Sequence, residues 1–252
     1  MAGHNKWSKV KHRKAVVDKR RSKVWSKVSR AIIVAARHGG PDPNFNLSLR
    51  YAIDEARYAN MPRDVIDRAV QKGAGGGDMS AYENVRYEAY APGGIAVIID
   101  ALTDNRTRTA TDVRNALGAH GGNLGASGCV AYLFHSRGRI AVLARGVAED
   151  SILEAALNSG ALDVQAPADA SEDDAAWTVL TDVASFHQVK ESLEMARFTI
   201  GEVELGMIPE QHVTVRGENA QNVMALVEQL EDLDDVQKVY TNADIPDDEI
   251  KD

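Results

Sequence analysis

Apolar residues recur every three to four positions in the first part of the chain, which is the spacing of helices that bury one face. The pattern predicts a helix from about residue 18 to a stop at 38–41 (HGGP), and a second helix from the cap residue Asn46 to residue 59. Pro62 suits the first helical position of a third helix that ends at Lys72 and Gly73. The predicted buried face of the first helix consists of Val17, Val24, Trp25, Val28, Ala31, Ile32 and Ala35.

After a glycine-rich hinge at residues 73–77, the pattern changes to short strands that alternate with helices. A Pro-Gly-Gly turn at 92–94 between two apolar runs predicts a hairpin. The expected strands are 85–90, 95–102, 130–134, 140–143, 162–165, 177–180, 202–205, 212–215 and 237–240, and the expected helices are 107–119, 149–158, 186–196 and 219–230. Short β-α-β units of this kind favour ferredoxin-like modules over one doubly wound sheet.

The order of these elements predicts an α+β protein with three domains. A basic arm and a three-helix domain would occupy residues 1–78, and one α/β domain would combine residues 79–131 with 207–245. Residues 132–206 contain a complete set of strands and helices, so we expect them to form a second α/β domain that is inserted into the first. Residues 246–252 would be an acidic tail.

Charge is distributed very unevenly along the chain. The first 37 residues contain twelve bases and one acid, a net charge of +11, whereas the whole protein carries −8. The remaining 215 residues therefore carry −19. One end of the chain suits a polyanion, and the acidic α/β domains would face away from it or toward protein partners.

Composition argues against several other classes of protein. The apolar run AIIVAA is far shorter than the roughly 20 residues that cross a bilayer, so no membrane span is expected. The basic N-terminus lacks the apolar core of a secretory signal and could imitate a mitochondrial transit peptide, but Trp7, Val17 and Trp25 suggest packing residues. A single cysteine, Cys129, excludes an internal disulfide and fits a reducing cytoplasm.

The basic N-terminal stretch is the first candidate site. An extended arm to about residue 14 precedes the first helix, on which Lys19, Lys23, Lys27 and Arg30 form a row that we call the cationic stripe. Cations release counterions from phosphates and aromatic rings stack on bases, whereas the alternative is a solvated basic face, with Trp7 packed on the helical domain. The predicted nucleic-acid contacts are Lys6, Trp7, Lys9, Lys11, His12, Arg13, Lys14, Lys19, Arg20, Lys23, Lys27 and Arg30.

A second candidate site lies in the TDNRTRT segment, where a strand gives way to a helix. Asp104 or Asn105 can cap that helix. Arg106, Arg108 and Arg114 would then flank a helix N-terminus, whose free amides favour phosphate. The alternative is a capped helix with three solvated arginines.

Acids crowd the end of the last predicted helix, where the helix dipole disfavours negative charge. We expect a solvated turn there. A divalent-ion site is one alternative, and an internal contact of these acids, or of residues 244–249, with the basic arm is another. The acids are Glu231, Asp232, Asp234 and Asp235.

Known catalytic and nucleotide-binding motifs are missing from the sequence. GAGGG lacks the Lys-Ser/Thr of a phosphate-binding P-loop, and GGNLGASG has His120 where the dinucleotide motif needs its first glycine. The seven histidines are scattered, and Cys129 suits a small buried residue better than a nucleophile. We therefore expect no enzyme, no cofactor, no metal and no small-molecule substrate.

Five long motifs resemble the YebC family of bacterial and organellar proteins. They are AGHNKWSKVKHRKAVVDKRRSK, AARHGGPDPNFNLSLRYAIDEARYANMPRDVIDRAVQKGAGG, YEAYAPGGIAVIIDALTDNRTRTATDVRNAL, GGNLGASGCVAYLF and LEDLDDVQKVYTN. The resemblance covers nearly the whole chain and implies a helical N-terminal domain and two α/β domains, one inserted in the other. The chain departs from the family pattern at Ala31, Thr107 and Cys129, and none of these departures removes a base from the arm.

The resemblance also implies regulation of gene expression without catalysis. The family is described as DNA-binding transcriptional regulators, while a mitochondrial relative activates translation and bacterial relatives are linked to ribosomes. We therefore predict a cytoplasmic DNA-binding transcriptional regulator. A translation factor on ribosomal RNA is the alternative, because no clear recognition helix stands out to read a major groove. A metal-dependent nuclease is a remote third possibility.

Overall fold

The computed structural model describes residues 18–75, 82–167 and 175–250, with side chains left undescribed at 18–22 and 247. These residues form two compact units. One unit consists of Tyr132–His212, and the other combines the residues before Tyr132 with those from Val213 onward. Each unit contains helices and a four-stranded antiparallel sheet, so the predicted α+β class is confirmed.

Three helices form the N-terminal part of the larger unit: α1 (Asp18–Gly39), α2 (Leu47–Tyr58) and α3 (Arg63–Ala74). Asn46 caps α2 as predicted, because its side-chain oxygen accepts a hydrogen bond from Leu49 N at 3.0 Å. Pro62 is the N-cap of α3 and not its first helical residue, a difference of one position. The helices share one apolar core that includes Val28, Ile32, Leu49, Ile53 and Ile66.

Helix α1 is buried on more sides than its predicted apolar face. Ile33 and Val34 are buried together with Ile32, and Ile32 and Ile33 belong to the core that α1 shares with α2 and α3. Gly73, which we predict at the end of α3, lies inside that helix, where a Cβ would stand 2.5 Å from the Ile33 carbonyl oxygen. Val24 is 43% exposed, so its predicted burial is wrong; it precedes the buried stretch of α1 that begins one turn later.

The sheet of the larger unit has the order β3-β1-β2-β9. Helices α4 (Arg106–Ala119) and α7 (Gly217–Asp232) contribute apolar residues to its core. Strand β9 (Val236–Thr241) completes a sheet that begins before Tyr132, although all of Tyr132–His212 intervenes in sequence. The strands are β1 (Glu83–Ala91), β2 (Ile95–Thr103), β3 (Asn123–Leu124) and β9 (Val236–Thr241).

The unit Tyr132–His212 has its own sheet, with the order β5-β6-β4-β7. Alternate residues of its central strands, such as Ile140 and Val142, are fully buried, as expected for a sheet with helices on one face. Its elements are β4 (Phe134–Leu143), α5 (Glu149–Ser159), β5 (Asp163–Gln165), β6 (Ala176–Asp182), α6 (Phe186–Met195) and β7 (Ile200–Pro209). The short strands β8 (Val213–Thr214) and β10 (Ala243–Asp244) pair in parallel in the larger unit.

The strand that we predict at 130–134 is wrong, because Ala131–Leu133 forms a 3-10 turn and β4 begins only at Phe134. The Glu88 carboxylate accepts hydrogen bonds from Gly128 N (2.6 Å), Val130 N (2.8 Å) and Ala131 N (2.8 Å). These amides are therefore unavailable to a strand ladder. Burial alone would raise the pKa of Glu88, but the three amides lower it below its usual value.

No helix within the described ranges combines the length and the apolar character that a membrane span requires.

Candidate nucleic-acid interface

Two lysines of the cationic stripe contact the C-terminal end of α7. Lys23 Nζ donates to the Asp232 carbonyl oxygen at 3.0 Å and lies 3.4 Å from the Asp232 carboxylate. Lys27 Nζ donates to the Glu231 carbonyl oxygen at 2.5 Å. The last carbonyls of a helix have no partner within the helix and form the negative end of its dipole. The two lysines therefore cap α7.

Arg30 extends the same contact by one turn of α1. Its Nη1 donates to the Asp234 carbonyl oxygen at 3.0 Å and lies 3.6 Å from the Asp235 carboxylate. The guanidinium carbon also lies 5.4 Å from the centre of the Tyr82 ring, within range of a cation–π interaction. Every described side chain of the cationic stripe is thus engaged within the protein.

Lys27 has an altered proton affinity because of this contact. Burial lowers the pKa of Lys27 to about 8, since the ammonium group loses hydration, and the Glu231 carboxylate opposes that shift. Lys27 is still largely protonated at neutral pH, but its charge is stabilised less than that of a solvated lysine. We therefore expect the contact between α1 and α7 to respond to mildly alkaline pH.

The acids near the end of α7 do not all form the solvated turn that we predict. The Asp232 side chain is 62% exposed and agrees with that prediction, whereas the Asp235 side chain is only 10% exposed and contradicts it. The cationic stripe, which follows the basic arm in sequence, is the partner of this acidic segment. Among the described residues, no group of three or more His, Cys, Asp or Glu side chains is arranged to hold a metal ion.

Asp235 is the centre of a polar network at the start of α4. Its Oδ2 accepts a hydrogen bond from Arg108 Nη2 at 2.6 Å and lies 2.8 Å from Thr109 Oγ1 and 3.2 Å from Thr103 Oγ1. Burial favours the neutral carboxyl, but the hydrogen bonds from Arg108 and Thr109 lower the pKa of Asp235 below its usual value. Asp235 and Asp104 in turn raise the pKa of Arg108.

The structure does not gather Arg106, Arg108 and Arg114 around one partner. Asn105 caps α4 as predicted, accepting from Arg108 N at 3.0 Å, while the Arg108 guanidinium binds Asp235. Arg106 Nε lies 3.4 Å from Glu83 Oε1, and its side chain is 64% exposed. Arg114 is exposed on α4 and has no ion pair within the described part of the chain. Only Arg114 of the three is open to a new anion.

Most of the predicted arm lies outside the residues that the structure describes. Lys19 and Arg20 lie in α1, but their side chains are not described. Trp25, predicted as a core residue, packs against the helical core and donates from Nε1 to the Ala59 carbonyl oxygen at 2.9 Å. The arm residues that lie outside the described ranges are Lys6, Trp7, Lys9, Lys11, His12, Arg13 and Lys14.

Cys129 has the surroundings of a structural residue. It is half-buried, and burial together with the Glu88 carboxylate raises the pKa of its thiol. The reactive thiolate is therefore disfavoured at neutral pH.

Family models match almost the whole length of the chain. The model of the TACO1/YebC protein N-terminal domain matches residues 5–76, and the model of the TACO1/YebC second and third domain matches residues 82–243. The chain belongs to the TACO1/YebC family. The boundary between the two matches falls between α3 and β1, where the helical part of this TACO1/YebC protein gives way to its first sheet.

Relatives within the family are similar over their full length. A protein of Citrifermentans bemidjiense is 45% identical over 251 residues, covering 100% of this chain and 99% of the relative. A protein of Burkholderia mallei is 46% identical over 243 residues, covering 96% and 98% of the two chains. Both relatives carry the name probable transcriptional regulatory protein.

A solved structure shares the fold. The crystal structure of a conserved hypothetical protein from Aquifex aeolicus matches with a TM-score of 0.80 at 45% identity, over 95% of this chain and 96% of that one. This TACO1/YebC protein therefore shares its fold with the Aquifex aeolicus protein.

Proposed function

We propose that this protein is a non-enzymatic regulator of gene expression that binds nucleic acid in the cytoplasm, and that it acts on DNA as a transcriptional regulator. The observation that carries the proposal is the charge of +11 in the first 37 residues against −19 in the rest. The names of the full-length relatives support the regulatory role. The acidic remainder of the chain would face away from the nucleic acid, where it is free to meet protein partners.

The contacts of α1 support a division of the basic stretch into two parts with different roles. Lys23, Lys27 and Arg30 contact the end of α7 and hold α1 in place. The eight bases that precede Lys23 supply the phosphate contacts, with Trp7 and His12 available to stack on bases. Arg114 offers a secondary phosphate contact on α4, whereas Arg106 and Arg108 would first have to leave their carboxylate partners.

The salt dependence of binding tests the proposal most directly. If about six to eight bases contact phosphates, the logarithm of the binding constant for duplex DNA should fall against the logarithm of salt concentration with a slope of roughly −5 to −7. Fluorescence anisotropy with a labelled duplex measures this slope. A slope near zero would contradict nucleic-acid binding by the basic stretch.

Binding to ribosomal RNA, as a translation factor, is the second candidate function. It is favoured by the pairing of arginines on the described helices with acids of the same helix. On α2, Arg57 pairs with Asp54 (3.0 Å), and on α3, Arg68 pairs with Asp64 (2.8 Å). A helix whose arginines pair with acids of the same helix is poorly suited to contact bases in the major groove of DNA. An extended basic segment, in contrast, suits irregular RNA.

Two measurements separate these functions. Retention of a promoter fragment in preference to random duplex supports transcriptional regulation, and co-sedimentation with ribosomes at moderate salt supports the translation factor. A nuclease assay with Mg²⁺ and with EDTA tests the proposal that no catalysis occurs, since cleavage only with the metal would contradict it.

A further inference from the structure

A groove in the unit Tyr132–His212 is lined by two arginines without an anionic partner. Arg145 and Arg197 both line it, and the cavity volume is about 390 Å³. Both side chains are exposed, and neither makes an ion pair with any described residue. Ser151 and Thr199 add hydroxyl groups to the same lining. We propose that Arg145 and Arg197 form a phosphate-binding site in this groove.

Arg145 and Arg197 differ from the other bases of this unit, each of which forms an ion pair with an acid. Residues 132–212 contain five bases and fourteen acids, a net charge of −9. Arg137 contacts Asp182, Arg139 Nη2 lies 3.0 Å from Glu204 Oε2, and Lys190 Nζ lies 3.9 Å from Glu194 Oε1. Acids are therefore plentiful here, and three of the five bases already have one.

No acid is among the described residues that line the groove. Glu149 and Asp150 of the first turn of α5 are exposed nearby in sequence, but neither contributes to the lining. Two guanidinium groups and two hydroxyl groups are the donors that commonly bind phosphate oxygens. The lining thus suits an anion with several acceptor oxygens.

Strand pairing brings the two arginines together. Arg145 follows the end of β4 by two residues, and Arg197 precedes the start of β7 by three. These strands are neighbours in the sheet, and Leu143 N donates to the Thr199 carbonyl oxygen at 3.0 Å where they diverge into loops. The loops are therefore held side by side by the sheet and not by the arginines themselves.

The backbone at Arg197 gives an independent reason to assign a function to this side chain. Arg197 has φ of 64°, in the left-handed region that is costly for residues with a Cβ. Arg197 N bonds to the Glu194 carbonyl oxygen and Phe198 N to that of Leu193, which is the Schellman ending of a helix. Such endings normally place glycine or asparagine at this position.

Three other helices within the described ranges end with the same pair of hydrogen bonds and follow the usual preference. Gly121 occupies the left-handed position after α4, with φ of 74°. Gly160 occupies the left-handed position after α5, with φ of 102°, and Asn60 occupies it after α2, with φ of 54°. The left-handed conformation of Arg197, on a groove with a second unpaired arginine, supports a binding role for its side chain.

The phosphate could belong to a nucleic-acid backbone or to a small phosphorylated molecule, and two probes distinguish these sources. The first probe is a labelled duplex, whose salt dependence is compared between the wild-type chain and Arg145→Gln/Arg197→Gln. If both arginines contact backbone phosphates, the double substitution should make the slope shallower by about 1.8. The second probe is inorganic phosphate, followed by NMR at the amides of Gly146 and Thr199 against chloride at equal ionic strength.

Arg137→Gln is the matched control, because it removes one positive charge from the same unit but at a residue that contacts Asp182. It should leave the phosphate-induced shifts intact and change the slope by much less than the double variant does. A change of slope assigns the site to the nucleic-acid backbone. Loss of the phosphate shifts with an unchanged slope assigns it to a small phosphorylated ligand. An unchanged slope together with unchanged shifts in the double variant overturns the proposal.

Arg197→Gly separates binding from a structural role. Relief of the left-handed conformation should raise the unfolding midpoint by about 2–4 °C while binding weakens. A lower midpoint would mean that the arginine stabilises the fold, which would overturn its assignment to a ligand. The phosphate titration does not depend on the basic N-terminal stretch. The titration therefore tests whether the groove binds phosphate even if the wild-type chain fails to bind the duplex.

Discussion

The cations of α1 and those of the Arg145–Arg197 groove lie in opposite surroundings. Lys23, Lys27 and Arg30 each contact the end of α7, where helix carbonyls and acids meet them. Arg145 and Arg197 lie on a groove whose described lining contains no acid. The first set belongs to the segment of highest positive charge and the second to a unit of net charge −9.

The net charge of a segment therefore does not identify the cations that are free to bind. A base in a strongly positive segment is neutralised when the fold brings a helix C-terminus against it. A base in an acidic unit remains available when no acid lies among the described residues that line its groove. Coulomb and hydrogen-bond energies depend on distances between side chains, and the fold sets these distances.

The largest expected effect comes from disrupting the face of α1 that lies behind the cationic stripe. Val28 is 5% exposed in the helical core, so Val28→Asp would bury an unpaired carboxylate. We expect a loss of more than about 4 kcal/mol in the free energy of unfolding, which removes the contact of α1 with α7. Urea unfolding followed by tryptophan fluorescence measures this loss.

Val24→Asp is the matched control for that substitution. Val24 lies one turn earlier on α1 and is 43% exposed, so the same change should cost no more than about 0.5 kcal/mol. Equal losses in the two variants would show that Val24 also belongs to the core. That result would contradict the start of the buried stretch of α1 after Val24.

A deletion of residues 2–14 tests whether the arm and the cationic stripe differ in function. The deletion removes five bases, so the salt slope for duplex binding should become shallower by about 4, with little change in the unfolding midpoint. Lys23→Gln combined with Lys27→Gln removes two cations that contact α7, and the slope should change by less than about 1. If the slope changed more in the double variant than in the deletion, the cationic stripe and not the arm would make most of the phosphate contacts.

Removal of Asp235 tests the network at the start of α4. Asp235→Ala leaves Arg108, Thr103 and Thr109 without their shared acceptor, and we expect a loss of about 3 kcal/mol in the free energy of unfolding. Asp232→Ala is the control, because its side chain is 62% exposed and a solvated ion pair contributes about 1 kcal/mol or less.

The effect of Asp235 should depend on pH in a defined direction. Its pKa is lowered in the folded protein, so its stabilising effect is fully present above the pKa of the unfolded chain, about 4. That effect is lost as the pH falls through the folded-state pKa. The difference between the wild-type chain and Asp235→Ala should therefore shrink below about pH 4, and a constant difference would argue against a charged Asp235.

The smallest effect is expected from Lys27 at alkaline pH. Its pKa is about 8 in the folded protein and near 10.5 in the unfolded chain, so the unfolded state binds more protons between these values. The stability of the wild-type chain should therefore rise with pH relative to Lys27→Met over that window. After allowance for partial exposure, the rise is on the order of 1 kcal/mol.

Lys23→Met is the control for the alkaline measurement. Lys23 lies one turn before Lys27 on the same face, and its side chain is 41% exposed. In thermal unfolding between pH 7 and pH 10, Lys23→Met should keep the rise in stability relative to Lys27→Met. The rise should be smaller than the one that the wild-type chain shows, because the Lys23 charge is one of the groups that lower the pKa of Lys27. An equal response of Lys23→Met and Lys27→Met would assign the pH dependence to other groups.

Local features of the fold could be predicted because neighbours in sequence determine them. Asn46 and Asn105 cap their helices as expected, since a cap needs only the amide three residues ahead. The hairpin across Pro92–Gly94 forms where its turn residues indicate. The wrong strand at 130–134 depends on Glu88, a residue about 40 positions earlier that no local pattern connects to it.

The amino-acid sequence alone determined the types of most elements, the α+β class and the asymmetric charge, because composition, periodicity and capping act locally. Which cations have partners within the protein depends on contacts between residues that are distant in sequence. Lys27 and its partner Glu231 are 204 residues apart in sequence, and Arg145 and Arg197 share a groove only because β4 and β7 are paired. The contacts that neutralise a charge or leave it available act over a few ångströms in space, whatever the separation along the chain.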